Sequence, residues 1–259
     1  MMSLGAESIK RNRSPDSKPE NLPERKTAYV QDPVLGLDPK FERRQKEYVW
    51  IGRQLAAAFE KAENIYLNDG QREILERVFI VMSIVDTMMD DAKKDKKEVI
   101  RQIVEKDTSS KNLNSAFAEL QALIEKHGDY PAYIKDVARA ISFSGEESLQ
   151  DRHREGLYLG RAVAEAIEPQ GERQKHLTKV LSALSTFANF SDDVIDFKED
   201  GKSGKWARER GRAMLREAIK LYRVSNNPNE YMFRIVKQTL TRSGRSVLRK
   251  AFSKGNGGR

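Results

Sequence analysis

From Phe41 onward the apolar residues recur at spacings of three and four, and no alternating apolar–polar stretch of useful length interrupts them. Val49, Ile51, Leu55, Ala58 and Phe59 share one helical face on this spacing. Ile74, Leu75, Val78, Phe79, Met82 and Val85 define the next helix, with Asp69 placed to cap it. Further helices are expected over 96–106, 110–127 with Ser110 as a cap, 131–143, 154–168, 171–200, 206–225 and 229–252. Gly128, Gly145, Pro169, Gly201 and Pro228 separate them. A chain with this period throughout is expected to be all-α. It shows neither an internal repeat nor a glycine-rich phosphate loop.

The stretch 1–38 carries Pro15, Pro19, Pro23 and Pro33 among many Lys, Arg, Ser and Glu residues, and Pro39 bounds it. That composition predicts a disordered N-terminal tail. Residues 39–253 are expected to form one helical domain, and 254–259 a flexible C-terminal end. The longest apolar run, Val78 to Val85, falls well short of the roughly 20 residues that span a bilayer. The N-terminus lacks the apolar core of a signal peptide. A cytoplasmic location follows as the expectation, with peripheral membrane contact compatible. There is no cysteine, which excludes disulfides and thiolate sites. The three histidines, His127, His153 and His176, fall in no His-x-His or His-Glu-x-x-His pattern, which argues against zinc.

Two acidic clusters interrupt this helical pattern. Asp86, Asp90 and Asp91 follow the apolar run on the second helix. Asp192, Asp193, Asp196 and Asp200, with Glu199, follow Val180, Leu181, Leu184, Phe187 and Phe190. Residues four apart share a helix face, so Asp86/Asp90 form a pair and Asp192/Asp196/Asp200 a stripe. Unpaired carboxylates are costly to bury. At a helix C-terminus the macrodipole disfavours each of them by roughly 0.3–1 kcal/mol. Accepting that cost twice, after two apolar helices, points to bound cations, and oxygen-only donors suit Mg²⁺. Either cluster alone reads equally well as a solvated helix end.

Cations stand nearby in sequence. Gly201-Lys202-Ser203-Gly204-Lys205 follows the second cluster, and Arg152, Arg154 and Arg161 bracket Gly156, Tyr158 and Gly160. Lysines and arginines so placed can reach a phosphate group; an ordinary basic turn and helix packing are the competing readings. Residues 205–259 carry a net charge of +12 and the rest of the chain −4. Phe79, Met82, Met88, Met89, Tyr158, Phe187 and Phe190 are candidates for an apolar pocket, or simply for core.

These residues resemble the class I isoprenoid synthase superfamily, which includes trans-prenyltransferases, squalene/phytoene synthases and terpene synthases. Asp86-Thr-Met-Met-Asp90-Asp91 is similar to the first aspartate-rich motif of the squalene/phytoene synthase branch. Asp192-Asp193-Val-Ile-Asp196 is similar to the second motif of trans-prenyl diphosphate synthases, and Gly201-Lys202 and Gly204-Lys205 to the lysine segment that follows it. The spacing of Asp192, Asp196 and Asp200 also resembles the second motif of terpene cyclases. Lysines stand where chain-elongating synthases carry paired arginines. The resemblance implies a single helical bundle around a central cavity, with 39–253 as the catalytic domain. It implies ionisation of an allylic C10–C20 prenyl diphosphate, followed by cyclisation, elimination or coupling of the carbocation. Asp86, Asp90, Asp192 and Asp196 would be catalytic. Those four with Asp91, Asp193 and Asp200 would hold three Mg²⁺ ions. Arg161, Lys202 and Lys205 would bind diphosphate, and Phe79, Met82, Met89, Tyr158 and Phe187 would line the substrate pocket. A homodimer is compatible with this reading.

Two other classes fit parts of the pattern. An all-α nucleotide pyrophosphohydrolase also uses helical carboxylates and Mg²⁺, but its pocket would be polar rather than rich in Met and Phe. A non-enzymatic helical module could use the basic C-terminal segment on nucleic acid or acidic lipid. The paired acidic motifs do not favour nucleic acid.

Overall fold

Most helix starts among the described residues are set by short polar side chains that complete the first turn, α7 after Gly171 being an exception. The computed structural model describes residues 39–90, 95–146, 148–197 and 201–233; the side chains of residues 39–47, 90 and 196 lie outside that description. The tail expected over 1–38, the end at 254–259 and most of the helix expected over 229–252 also lie outside it. Every regular element among the described residues is helical. Helix α1 (Pro39–Ala58) runs into a π-helical turn, Phe59–Glu63, that ends on Asn64 in the left-handed region. Then follow α2 (Asp69–Asp90), α3 (Lys96–Glu105), α4 (Lys111–His127), α5 (Tyr130–Phe143), α6 (Leu149–Ile167), α7 (Glu172–Asp196), α8 (Gly204–Val224) and the short α9 (Pro228–Tyr231).

The caps explain where these boundaries fall. Ser110, as expected, accepts from the Leu113 amide at 3.3 Å, and Asp129 accepts from Ala132 at 3.0 Å. The cap of α2 is Asn68 rather than Asp69. The Gln71 amide donates to Asn68 Oδ1 at 2.9 Å and the Asn68 amide to Gln71 Oε1 at 3.0 Å. This is a reciprocal capping box, with Gln71 at the third helical position. Helix α6 begins at Leu149, earlier than the expected 154, because Ser148 Oγ accepts from the Asp151 amide at 2.9 Å. Past α7, Gly201 takes a positive φ of 67°. The Lys202 amide donates back to the Phe197 carbonyl at 2.8 Å, which is how a glycine closes a helix end.

Helix α6 is central. It packs most extensively against α7 and α5, while α8 covers α7 and α1 lies along α2. Ala162, Val163, Ala164, Glu165, Ala166 and Ile167 are all buried, so the last stretch of α6 is enclosed on every side. Gly156 and Gly160 set its distance from α7. A Cβ on Gly160 would fall 2.4 Å from the Leu181 carbonyl carbon, and one on Gly156 2.5 Å from Thr186 Cα. The two backbones can meet this closely only where neither glycine carries a side chain. Buried Glu63 fastens the far end: it accepts from Ser225 Oγ at 2.5 Å and the Asn226 amide at 3.2 Å, and lies 2.8 Å from His176 Nε2. Among the described residues no helix is long and apolar enough to cross a membrane.

Candidate functional site

Helix α2 is buried on one side and half-exposed on the other. Val78, Ile80, Val81 and Ile84 enter the core, whereas Phe79, Met82, Val85 and Met89 are only partly buried. The second face borders a cavity of about 690 Å³. Helices α1, α2, α5, α6, α7 and α8 all contribute to its wall. Lining residues run from Phe79 to Met89 on α2, from Arg152 to Val163 on α6 and from Ser185 to Ile195 on α7. At 1.5 Å of rise per residue each of those stretches extends about 15 Å.

The lining is polarised along this length. Arg152 reaches Asn189 and Asp193 at one end of this length, while Gln71 at the start of α2 meets Ile167, and Asp129 before α5 meets Glu165, at the other. By that register Asp86, Arg152, Glu155, Asn189 and Asp192 fall toward the first end, with Met89, Val194 and Ile195 among them, and Phe79, Tyr133, Val137, Leu159 and Val163 toward the second. One member of each acidic cluster borders the cavity: Asp86, on the last turns of α2, and Asp192, on the last turns of α7, line the same space, and both are exposed. Tyr48 donates its hydroxyl to Asp86 Oδ2 at 3.3 Å. The side chains of Asp90, Asp91, Asp196 and Asp200 lie outside the described residues. Among those described, no three acidic or histidine side chains converge tightly enough to hold a metal ion by themselves. Asp86 and Asp192 supply carboxylate oxygens without nitrogen or sulfur donors, which is the donor chemistry Mg²⁺ takes.

Asp193 has other neighbours. Arg152 Nε donates to its Oδ1 at 3.1 Å, and Arg210 Nε lies 3.0 Å from its Oδ2. Arg152 also donates to Glu155 Oε2 at 2.7 Å and to the Asn189 carbonyl at 3.4 Å. Burial works against the charge on Arg152, but the Glu155 and Asp193 carboxylates outweigh it, and the guanidinium pKa is raised. Arg210 is itself buried and sits 4.5 Å above the Trp206 ring, a cation–π contact. Three helices are therefore joined by charge at the polar end of the cavity.

Of the pocket residues read from the sequence, Phe79, Met82, Met89 and Phe187 line the cavity. Tyr158 and Arg161 stand apart from that lining. Tyr158 stacks on Phe143 at 5.9 Å, and Arg161 pairs with buried Asp136 at 2.9 Å and with Glu165 at 3.7 Å. Lys202 lies 6.0 Å over the Trp206 ring, and Lys205 is exposed at the start of α8. The sequence reading missed Tyr48, Asn189, Glu155 and Arg210. Arg210 had a signal, being a basic residue on the face of α8 shared by Ala213 and Glu217, which are also buried. Buried Tyr133, at the apolar end, has its pKa raised, chiefly by desolvation.

Comparison with protein-family models, curated proteins and solved structures finds no match to this chain.

Proposed function

We propose that the chain is a Mg²⁺-dependent enzyme of the class I isoprenoid synthase type, acting on one allylic prenyl diphosphate. The observation that carries this reading is the shared placement of Asp86 and Asp192 at the polar end of a long apolar cavity. Asp86 and Asp192 would hold the ions, joined by Asp90 and Asp196 one turn along each helix. Bound Mg²⁺ supplies charge neutralisation for a departing diphosphate. The chain's own part is to hold the diphosphate end among Asp86, Asp192 and the arginine-bearing wall. It lays the hydrocarbon along Phe79, Met82, Leu159 and Val163, and keeps water from the cation left behind.

The size of the cavity limits the substrate. A 150 Å³ apolar cavity holds benzene, or about 25 Å³ per carbon. By that measure 690 Å³ takes roughly 28 non-hydrogen atoms. That suits a single C15 or C20 prenyl diphosphate, not two such chains together. The reading therefore favours cyclisation or elimination over head-to-head coupling. The same apolar lining disfavours a nucleotide pyrophosphohydrolase, whose base would need hydrogen-bonding partners along the wall.

The test is incubation of the protein with geranyl, farnesyl and geranylgeranyl diphosphate and Mg²⁺, followed by measurement of released diphosphate and hydrocarbon products. Turnover is expected with the longer two and is lost in Asp86→Ala and Asp192→Ala. Absence of turnover with all three, or variants equal to the parent chain, overturns the reading.

A further inference from the structure

The outer face of α8 carries two adjacent stripes. Arg208, Arg212, Arg216 and Lys220 recur every four residues, and Arg223 continues them; all five are exposed. Beside them run Leu215, Ile219 and Tyr222, exposed to 60%, 45% and 52%. Spacings of four and three put these large apolar side chains on one flank of the helix. Single exposed apolar residues are ordinary, but three aligned on one helix form a patch that suits a partner. Tyr222 is held in place there, its hydroxyl donating to Asn229 Oδ1 at 2.7 Å.

Charge narrows the choice of partner. Glu209 is the exposed acid on this helix, Glu217 being buried where it pairs with Lys220 at 2.6 Å. The exposed side is therefore strongly cationic, with its apolar stripe at the edge of the basic one. A polyanion without an apolar phase would satisfy the arginines and leave Leu215, Ile219 and Tyr222 in water. An anionic phospholipid surface satisfies both: headgroup phosphates meet the guanidinium groups, and the apolar stripe enters the acyl boundary.

The same helix is a wall of the cavity. Met214, Leu215 and Ala218 line it, and Leu215 belongs both to the lining and to the exposed stripe. We propose that the outer face of α8 docks on an anionic phospholipid surface, bringing the Leu215 side of the cavity against the bilayer. A hydrocarbon could then pass between membrane and cavity without crossing open water. Docking itself does not require the cavity to be catalytic.

The experiment is co-sedimentation of the full chain with vesicles of phosphatidylcholine alone, or of phosphatidylcholine mixed with phosphatidylserine. Binding is expected to the mixed vesicles and to be weaker by about tenfold or more on the neutral ones. Arg212→Glu with Arg216→Glu, and separately Ile219→Ser with Tyr222→Ser, should each lower that binding roughly tenfold while far-ultraviolet circular dichroism stays unchanged. Should the charge reversals unfold the chain, Arg212→Gln with Arg216→Gln provides the neutral form. Four results overturn the proposal. One is binding indifferent to phosphatidylserine. A second is full binding by both α8 variants, which assigns it to residues beyond 233. A third is loss with the arginine changes alone together with equal affinity for a single-stranded oligonucleotide, which marks a polyanion site. The last is conversion of a dimer to a monomer by the Ile219/Tyr222 variant with vesicle binding intact, which marks a self-association face.

Discussion

Asp193 Oδ2 lies 3.0 Å from Arg210 Nε. Arg210 comes from α8, is 3% exposed, and has the Trp206 ring on its other side. Deleting one partner of a buried pair leaves the other charge desolvated, which costs far more than the pair contributes. Arg210→Ala is therefore expected to lower stability by about 3 kcal/mol, read from urea unfolding. Arg210→Lys should recover little, since an ammonium reproduces neither the fork nor the stacking on Trp206. A loss below about 1 kcal/mol for Arg210→Ala would mean that Arg152 alone satisfies Asp193.

The glycines of α6 and α8 should respond oppositely to the same substitution. At Gly160 an added methyl meets the Leu181 and Ser182 backbone at 2.4 Å. Backbone cannot rotate aside, so Gly160→Ala should cost roughly 2–3 kcal/mol or more. At Gly211, inside α8, nothing lies within 4 Å of the added carbon. Gly211→Ala should stabilise by about 0.5–1 kcal/mol through helix propensity. Thermal unfolding of the two variants side by side measures the contrast.

Glu165 predicts a falling stability with rising pH. Burial is the main cause that pushes its pKa up, from 4.5 to about 7; buried Asp136 adds to it, Asp129 adds less, and Arg161 opposes. Between those two values the folded chain keeps a proton that the unfolded chain has released, so folding is favoured at the acid end. This contribution is complete below the unfolded value and is lost as pH rises through about 7. The melting temperature should drop by several degrees from about pH 5 to about pH 8, and Glu165→Gln should flatten that slope. A parent and variant with parallel pH profiles would contradict the assignment.

Asp86 and Asp192 should matter to ligands and not to folding. Both are exposed, and Asp192 sits near the C-terminal end of α7, where the helix dipole disfavours an anion. Asp86→Asn with Asp192→Asn should leave apo stability within about 0.5 kcal/mol. Mg²⁺ with inorganic diphosphate should raise the melting temperature of the parent chain and not of this variant. An equal rise in both would place the ligand elsewhere.

The helical architecture was legible because each capping residue and each apolar period is local in sequence. Ser110 and its helix 110–127 needed nothing beyond their own neighbours. The start of α6 could not be read from apolar period. Gln150 to Arg154 is a polar run with no apolar period, and the local signal there is the Ser148-x-x-Asp151 capping pattern, which a reading by apolar period passes over. Asp86 and Asp192 could be singled out as carboxylates that need a reason, but their meeting on one cavity depends on how α2 and α7 pack. Arg161 shows the reverse limit: a basic residue that the sequence offers as a phosphate ligand spends its charge on Asp136 of α5. Likewise, nothing local to Arg210 announces Asp193 as its partner.

The contact of α6 with α7 has a consequence for how such a chain can diversify. Positions 156 and 160 admit one residue each, because backbone faces backbone there. The cavity's apolar end is bounded instead by side chains such as Phe79, Leu159 and Val163, each exchangeable for another of similar bulk. The frame is thus rigidly specified while the space it encloses is not. Drift at a few lining positions could alter what the cavity accepts, with the helices that hold Asp86 and Asp192 left where they are.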